Sequence, residues 1–152
     1  MTTAPTFRYL SAETELREAF ELMRELRPHL AGEAAFHVQM ARQFDQHYRL
    51  LGAWLGAELV GLAGFRTLEN LLYGRFVYVD DLVVASAQRR DGVGAQLLDA
   101  VRRQATEDGC AHLVLDTGLH MPLAQRFYFR EGLLARGMHF VQPLHEEGLR
   151  HA

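Results

Sequence analysis

The sequence predicts a mixed α/β fold, and three features carry that expectation. Strand-like and helix-periodic stretches follow one another in the order β, α, α, β, β, β, α, β, α, β. The strand-like residues 48–55 and 59–66 are joined only by Gly56-Ala57-Glu58, which fits an antiparallel hairpin. The second half alternates strand and helix, the logic of βαβ crossovers.

Taken in order, residues 7–10 read as a short strand, and Ser11 is placed to cap a helix. Leu16, Ala19, Phe20, Met23 and Leu26 then recur at helical spacing, and Arg27-Pro28 should stop that helix. A second helix is expected over 34–44, with Phe36, Met40 and Phe44 on one face. After the hairpin, residues 68–74 are expected to be a connection, and 75–84 form the strongest strand candidate, rich in aromatic and β-branched residues. Val93, Leu97, Leu98, Val101 and Ala105 mark a helix that Gly109 should end. Residues 112–116 read as a short apolar strand, central and buried. Pro122 suits the first position of a helix carrying Leu123, Phe127 and Tyr128, with Gly132 at its end. Residues 133–144 are expected to be a last strand, before a polar tail over 145–152.

A chain of 152 residues suits one domain, expected to span 1–152 with its core at about 7–144. The net charge of −3 argues against a general nucleic-acid binder. Cys110 is the single cysteine, so no disulfide can form within the chain. No apolar run reaches the roughly 18 residues of a membrane span. The stretch MTTAPTFRYL has neither a basic n-region nor a long apolar h-region. The expectation is a soluble cytoplasmic protein without nucleic-acid or membrane partners. The histidines show no metal-ligand spacing, so no metal is expected.

The stretch from Val79 to Val101 carries the chemistry. It runs from an apolar strand through Arg89-Arg90-Asp91-Gly92-Val93-Gly94 into a helix. Free amides and the helix dipole at such a junction favour phosphate. Glycines at 92 and 94 allow close backbone approach, and Arg89 and Arg90 can add charge-assisted bonds. A glycine pair alone is weak evidence, because solvated arginines in a turn would look the same. The pattern lacks the third glycine of a dinucleotide fingerprint and the Gly-Lys-Ser/Thr of a nucleotide-hydrolysing loop.

Arg89-x-x-Gly92-x-Gly94 after DLVV resembles motif A of the GNAT superfamily of acyl-coenzyme-A-dependent N-acyltransferases. The segment AQRFYFREGL from Ala124 to Leu133 is similar to the family's motif B. The two motifs and the element order match over about residues 7–144. The resemblance implies a mostly antiparallel central sheet flanked by helices, with two strands splayed near Val84 and His112 for the pantetheine arm. It implies acetyl transfer from acetyl-coenzyme A (acetyl-CoA) to a primary amine of a small molecule, by direct attack in a ternary complex. Leu82, Val83, Val84, Arg89, Arg90, Asp91, Gly92, Val93, Gly94, Ala95, Ala124 and Phe127 are the implied coenzyme contacts. Tyr128 matches the tyrosine that protonates the leaving thiolate. The sequence departs from the pattern at Met121, where many members carry an asparagine that bonds the cofactor arm; His120 or Asp116 could compensate.

Asp80 and Asp81 are two adjacent carboxylates inside an apolar strand. Strand alternation predicts opposite faces for them. The family's acidic residue often lies on this strand, and an amine that is mostly protonated near neutral pH needs a base. Strand parity favours Asp80, whereas a bulge would favour Asp81. Pairing with Arg66 or Arg75, or a helix cap, would give both a structural role instead. Phe36, His37 and Tyr73 are possible substrate neighbours. An acceptor on a protein lysine or N-terminus, a non-catalytic acyl-CoA-binding module, and another acyl donor are the alternatives. A homodimer stays open.

Overall fold

The computed structural model describes residues 4–11 and 13–145, so most of the polar tail expected after residue 144 lies outside the described residues. The chain divides into two compact units, Met1–Leu115 and Asp116–Ala152. The first contains β1 (Thr6–Tyr9), α1 (Glu13–Leu26), α2 (Glu33–Asp45), β2 (Tyr48–Leu55), β3 (Glu58–Asn70), β4 (Gly74–Val84), α3 (Val93–Glu107) and β5 (His112–Leu115). The residue before α1, where its cap would sit, is outside the described residues.

The strands form one sheet in the order β1-β2-β3-β4-β5. The first four pair antiparallel, and β5 pairs parallel to β4 at the end of the sheet with none of its residues buried, which corrects the expected central, buried strand there. This is the expected mixed, mostly antiparallel sheet flanked by helices. Both of its faces are covered, which is why β2 is apolar along almost its whole length and β3 is apolar from Leu59 to Phe65. On one face, Phe20 and Met23 of α1 and Phe36 and Met40 of α2 pack on Tyr48, Leu50, Trp54, Leu62 and Val83. On the other, Val93, Leu97 and Val101 of α3 pack on Ala53, Val60, Ala63, Phe65, Val77 and Val79. A Cβ on Gly61 would stand 2.7 Å from Leu97 Cδ1, so the bare backbone there lets α3 lie close against β3.

Glycine closes α3 as the sequence predicts. Gly109 has φ +76°, Cys110 N–H donates to the Ala105 carbonyl, and Gly109 N–H donates to the Thr106 carbonyl. That pair of bonds is a Schellman stop, and it feeds the chain directly into β5.

Residues 68–74 are not a loose connection. β3 and β4 continue as a hairpin to Asn70 and Gly74. Asn70 Oδ1 accepts the N–H groups of Leu72 and Tyr73, and Gly74 takes φ +66°. Turn chemistry at those two residues keeps the strands paired to their ends.

In the second unit, α4 (Pro122–Arg130) starts on the expected proline and ends in the same Schellman arrangement around Gly132. Residues 133–144 form no strand, which corrects the expected last element. Gly137 and Pro143 interrupt them, Val141 is their only β-branched residue, and Leu134, Met138, Phe140 and Leu144 are exposed.

Candidate active site

The site is built around one irregularity in β4. Gly64 pairs with Asp81 and Phe65 pairs with Val79, so Asp80 is an extra residue in a β-bulge. The bulge overturns the expectation that the two aspartates face opposite ways. Tyr48 and Arg66 are directly paired on β2 and β3 and therefore share a face. Asp80 reaches Arg66, and Asp81 reaches Tyr48, so both carboxylates lie on the side covered by α1 and α2.

Each aspartate is held differently. Arg66 donates Nε to Asp80 Oδ2 at 3.0 Å and Nη2 to Oδ1 at 2.6 Å, a two-point fork that engages both oxygens. Burial pushes the Asp80 carboxyl above the usual carboxylate range, with the Arg66 bonds and charge opposing that shift. Asp81 divides its oxygens between two elements. Arg27, just past α1, donates Nε to Oδ1 at 3.1 Å, and Tyr48 donates its hydroxyl to Oδ2 at 2.8 Å. Arg27 Nη2 also donates to the Asp80 carbonyl at 2.9 Å, tying the bulge to the α1–α2 connection.

Past the bulge, β4 continues alone on its β5 side. The parallel pairing covers only Phe76–Val79 against His112–Leu115, so Leu82, Val83 and Val84 extend beyond the last β5 partner. The strands therefore part after Val79 and Leu115 rather than at His112. Ala85 N–H donates to the Val60 carbonyl at 2.8 Å, which anchors the strand end to β3. A short 3-10 turn over Ser86–Gln88 leads into the arginine–glycine loop.

That loop presents a bare helix start. Gly92 precedes α3 with φ +82° and makes no side-chain cap, and no acidic residue stands in the first turn. A Cβ on Gly92 would meet nothing within 4 Å. Arg89, Arg90, Asp91 and Gly92 are exposed, Val93 is buried as the anchor of α3, and Gly94 and Ala95 are half-buried. Unpaired amides, the dipole of a 15-residue helix and two arginines make this end of α3 a fit for pyrophosphate. Arg89 Nη2 stands 3.7 Å from Glu25 of α1.

Arg90 takes φ +81° without being glycine. The left-handed region costs a residue with a Cβ about 1–2 kcal/mol. Arg90→Gly should therefore raise the unfolding free energy, by about 0.5–1 kcal/mol after the extra freedom of the unfolded glycine. Urea denaturation checks this.

The other expected residues fall elsewhere. Ala124, Phe127 and Tyr128 lie on α4 in the second unit, half-buried, with the Phe127 and Tyr128 rings edge to face at 5.3 Å. Phe36 is core, packed on Phe20. His37 lies 3.8 Å from Glu33. Tyr73 sits at the hairpin end of β4, far along the strand from the aspartates, with its carbonyl 3.0 Å from His112 Nδ1. Tyr48, Arg27 and Gly64 escaped the sequence reading. The available signal was Gly64, since a glycine inside a strand marks a bulge or a close approach.

Residues 14–132 match the acetyltransferase (GNAT) family. The chain belongs to that family. Over 99 residues it is 30% identical to an aminoalkylphosphonate N-acetyltransferase of Salmonella typhimurium, covering 64% of this chain and 63% of that relative. A crystal structure of a transcriptional regulator from Bacillus halodurans is similar with a TM-score of 0.80 and 26% identity, over 91% of this chain and 98% of the other. The aminoglycoside N-acetyltransferase AAC(6')-Iy, bound to a bisubstrate analogue of CoA and acetylneamine, shares the fold with a TM-score of 0.79 at 21% identity, over 92% of this chain and 99% of the other.

Proposed function

We propose that this protein is an N-acetyltransferase that moves the acetyl group of acetyl-CoA onto a primary amine of a small molecule. The observation that carries the reading is the uncapped start of α3, directly downstream of a β4 segment that has no β5 partner. Family membership and the likeness to an aminoalkylphosphonate N-acetyltransferase support it.

The coenzyme supplies an acetyl thioester and a leaving thiolate. Gly92, Val93, Gly94 and Ala95 offer backbone amides to its pyrophosphate, joined by Arg89 and Arg90. Backbone N–H groups among Leu82, Val83 and Val84 polarise the thioester carbonyl. Asp81 takes a proton from the ammonium group, directly or through water; the freed nitrogen forms the new bond to the acetyl carbon as the carbon–sulfur bond breaks, and the nitrogen then gives up its second proton to water to leave the neutral amide. Tyr128 returns a proton to the thiolate; an ordinary phenol with a pKa near about 10 is protonated at neutral pH and can do so. Asp81 is preferred to Asp80 because Asp80 has both oxygens committed to one guanidinium.

A second reading has one observation in its favour. Glu18, Glu21 and Glu25 of α1 and Glu58 of β3 line an open groove of about 550 Å³. An acidic groove suits a cationic peptide, so a lysine or N-terminal amine of a protein is the alternative acceptor.

Turnover of acetyl-CoA against a panel of small amines and a lysine-rich peptide, read as free thiol, tests both readings. Release with small amines alone supports the first; release with the peptide alone supports the second. Coenzyme binding without turnover on any amine would mark a sensor. Tyr128→Phe should lower kcat about 10- to 100-fold with little change in the KM for acetyl-CoA. An unchanged kcat removes the tyrosine from the acid role.

A further inference from the structure

We propose that Tyr48, lying across the bare backbone of Gly64, is the positioning residue that orients Asp81 for proton abstraction. The inference rests on the acetyl-transfer reading and adds a residue pair to it.

Tyr48 opens β2 and is 2% exposed, so it is a core aromatic by burial. Its hydroxyl nevertheless leaves the apolar core and ends on Asp81 Oδ2. The path it takes is possible only because residue 64 is glycine. A Cβ at that position would lie 1.7 Å from the Tyr48 hydroxyl oxygen, 2.3 Å from Cζ and 2.7 Å from Cε2. Gly64 is also the register partner of Asp81. The glycine, the tyrosine and the bulge thus form one device: the missing side chain opens a channel across β3, the phenol fills it, and the carboxylate receives the phenol's end. Burial, and then the charge of Asp81, push the Tyr48 hydroxyl well above the ordinary phenol range, so it remains a donor. Arg27 holds the other oxygen, and the neighbouring charges on this face, Asp80 and Arg66, are paired with each other.

A tyrosine that only filled space would not need its hydroxyl. Tyr48→Phe keeps the ring and removes that one donor. In an active enzyme it should reduce kcat about tenfold or more, as expected for losing a hydrogen bond to a charged group. It should also move the acidic limb of the kcat/KM profile to higher pH by about one unit, because the ionised base loses a partner that favours it. The KM for acetyl-CoA should stay within about twofold. Gly64→Ala should reproduce the limb shift by displacing the hydroxyl, and should add little further loss once Tyr48 is Ala.

An active wild type whose Tyr48→Phe variant folds and keeps its acidic limb in place overturns the positioning role and leaves acetyl transfer standing. An equal loss from Gly64→Ala with and without the Tyr48 ring overturns it as well. Should Gly64→Ala fail to fold, Tyr48→Phe alone decides. A wild type with no turnover on any amine sinks the acetyl-transfer reading itself, and the positioning role with it.

Discussion

Leu97→Ala should lower the unfolding free energy by about 3–5 kcal/mol, the upper part of the range for large-to-small changes in a core. Leu97 is fully buried at the centre of α3, between Val93 and Val101. The cost depends on how far the surroundings can collapse into the space left behind. Here they cannot collapse far. Leu97 Cδ1 rests over Gly61, where the facing surface is strand backbone held on both sides, by β2 and by β4. Backbone in the middle of a sheet does not move to fill a cavity of a few methylene groups. Urea denaturation followed by circular dichroism measures the change. Gln96→Ala, one position away on the exposed side of the same helix, should alter stability by no more than about 0.5 kcal/mol. The pair separates packing from helix propensity. A Leu97→Ala loss below about 1.5 kcal/mol would mean that α3 can shift toward the sheet, and its N-terminal loop would then shift with it.

α3 shows why much of this fold is legible in the sequence. Its apolar residues recur at helical spacing, its start follows a glycine-bearing loop, and its end is a glycine with positive φ. These are local signals, and the structure keeps all of them. Tyr48–Leu55 coincides with its sequence-predicted strand for the same reason. The 133–144 segment fails because its apolar content suggested a strand while Gly137 and Pro143 argued against one. Composition alone cannot supply the neighbouring edge that a strand requires.

The aspartate pair was legible as chemistry and illegible as geometry. Two carboxylates in an apolar strand stand out in any reading, but the face each one takes depends on register against β3. Register is a property of two strands, and a bulge changes it without a mark on its own strand. Arg66 was among the expected partners and does pair with Asp80, whereas the two partners of Asp81 were hidden for a related reason. Arg27 follows α1 and Tyr48 opens β2, and only the folded sheet brings them to Asp81. Arg90 was hidden differently, since nothing in an arginine announces a positive φ.

Asp81→Asn should lower kcat/KM for the amine about 10²- to 10⁴-fold, the usual span for removing a general base. Asparagine is nearly isosteric with aspartate: its one oxygen can still accept from Arg27, its amide N–H can donate to a reoriented Tyr48 hydroxyl, and the bulge keeps its shape. The lost function is then proton abstraction rather than folding. The acidic limb of the pH–rate profile should vanish with it, because the group that must be ionised is gone. Asp80→Asn is the discriminating partner. It removes one of the two oxygens that Arg66 holds and leaves a half-paired guanidinium against the sheet. That change should register mainly as a loss of stability, with kcat/KM falling less than about tenfold. Burial already disfavours the Asp80 charge, so neutralising it also removes a cost, and the net loss should stay near about 1 kcal/mol. Thiol-release assays across pH on both variants, with urea denaturation alongside, read the two effects separately. The reverse pattern, a large rate loss at Asp80 and a small one at Asp81, would move the base by one residue. It would also mean that the Arg66 fork opens when the amine arrives, since that guanidinium occupies both oxygens of Asp80 in the resting site.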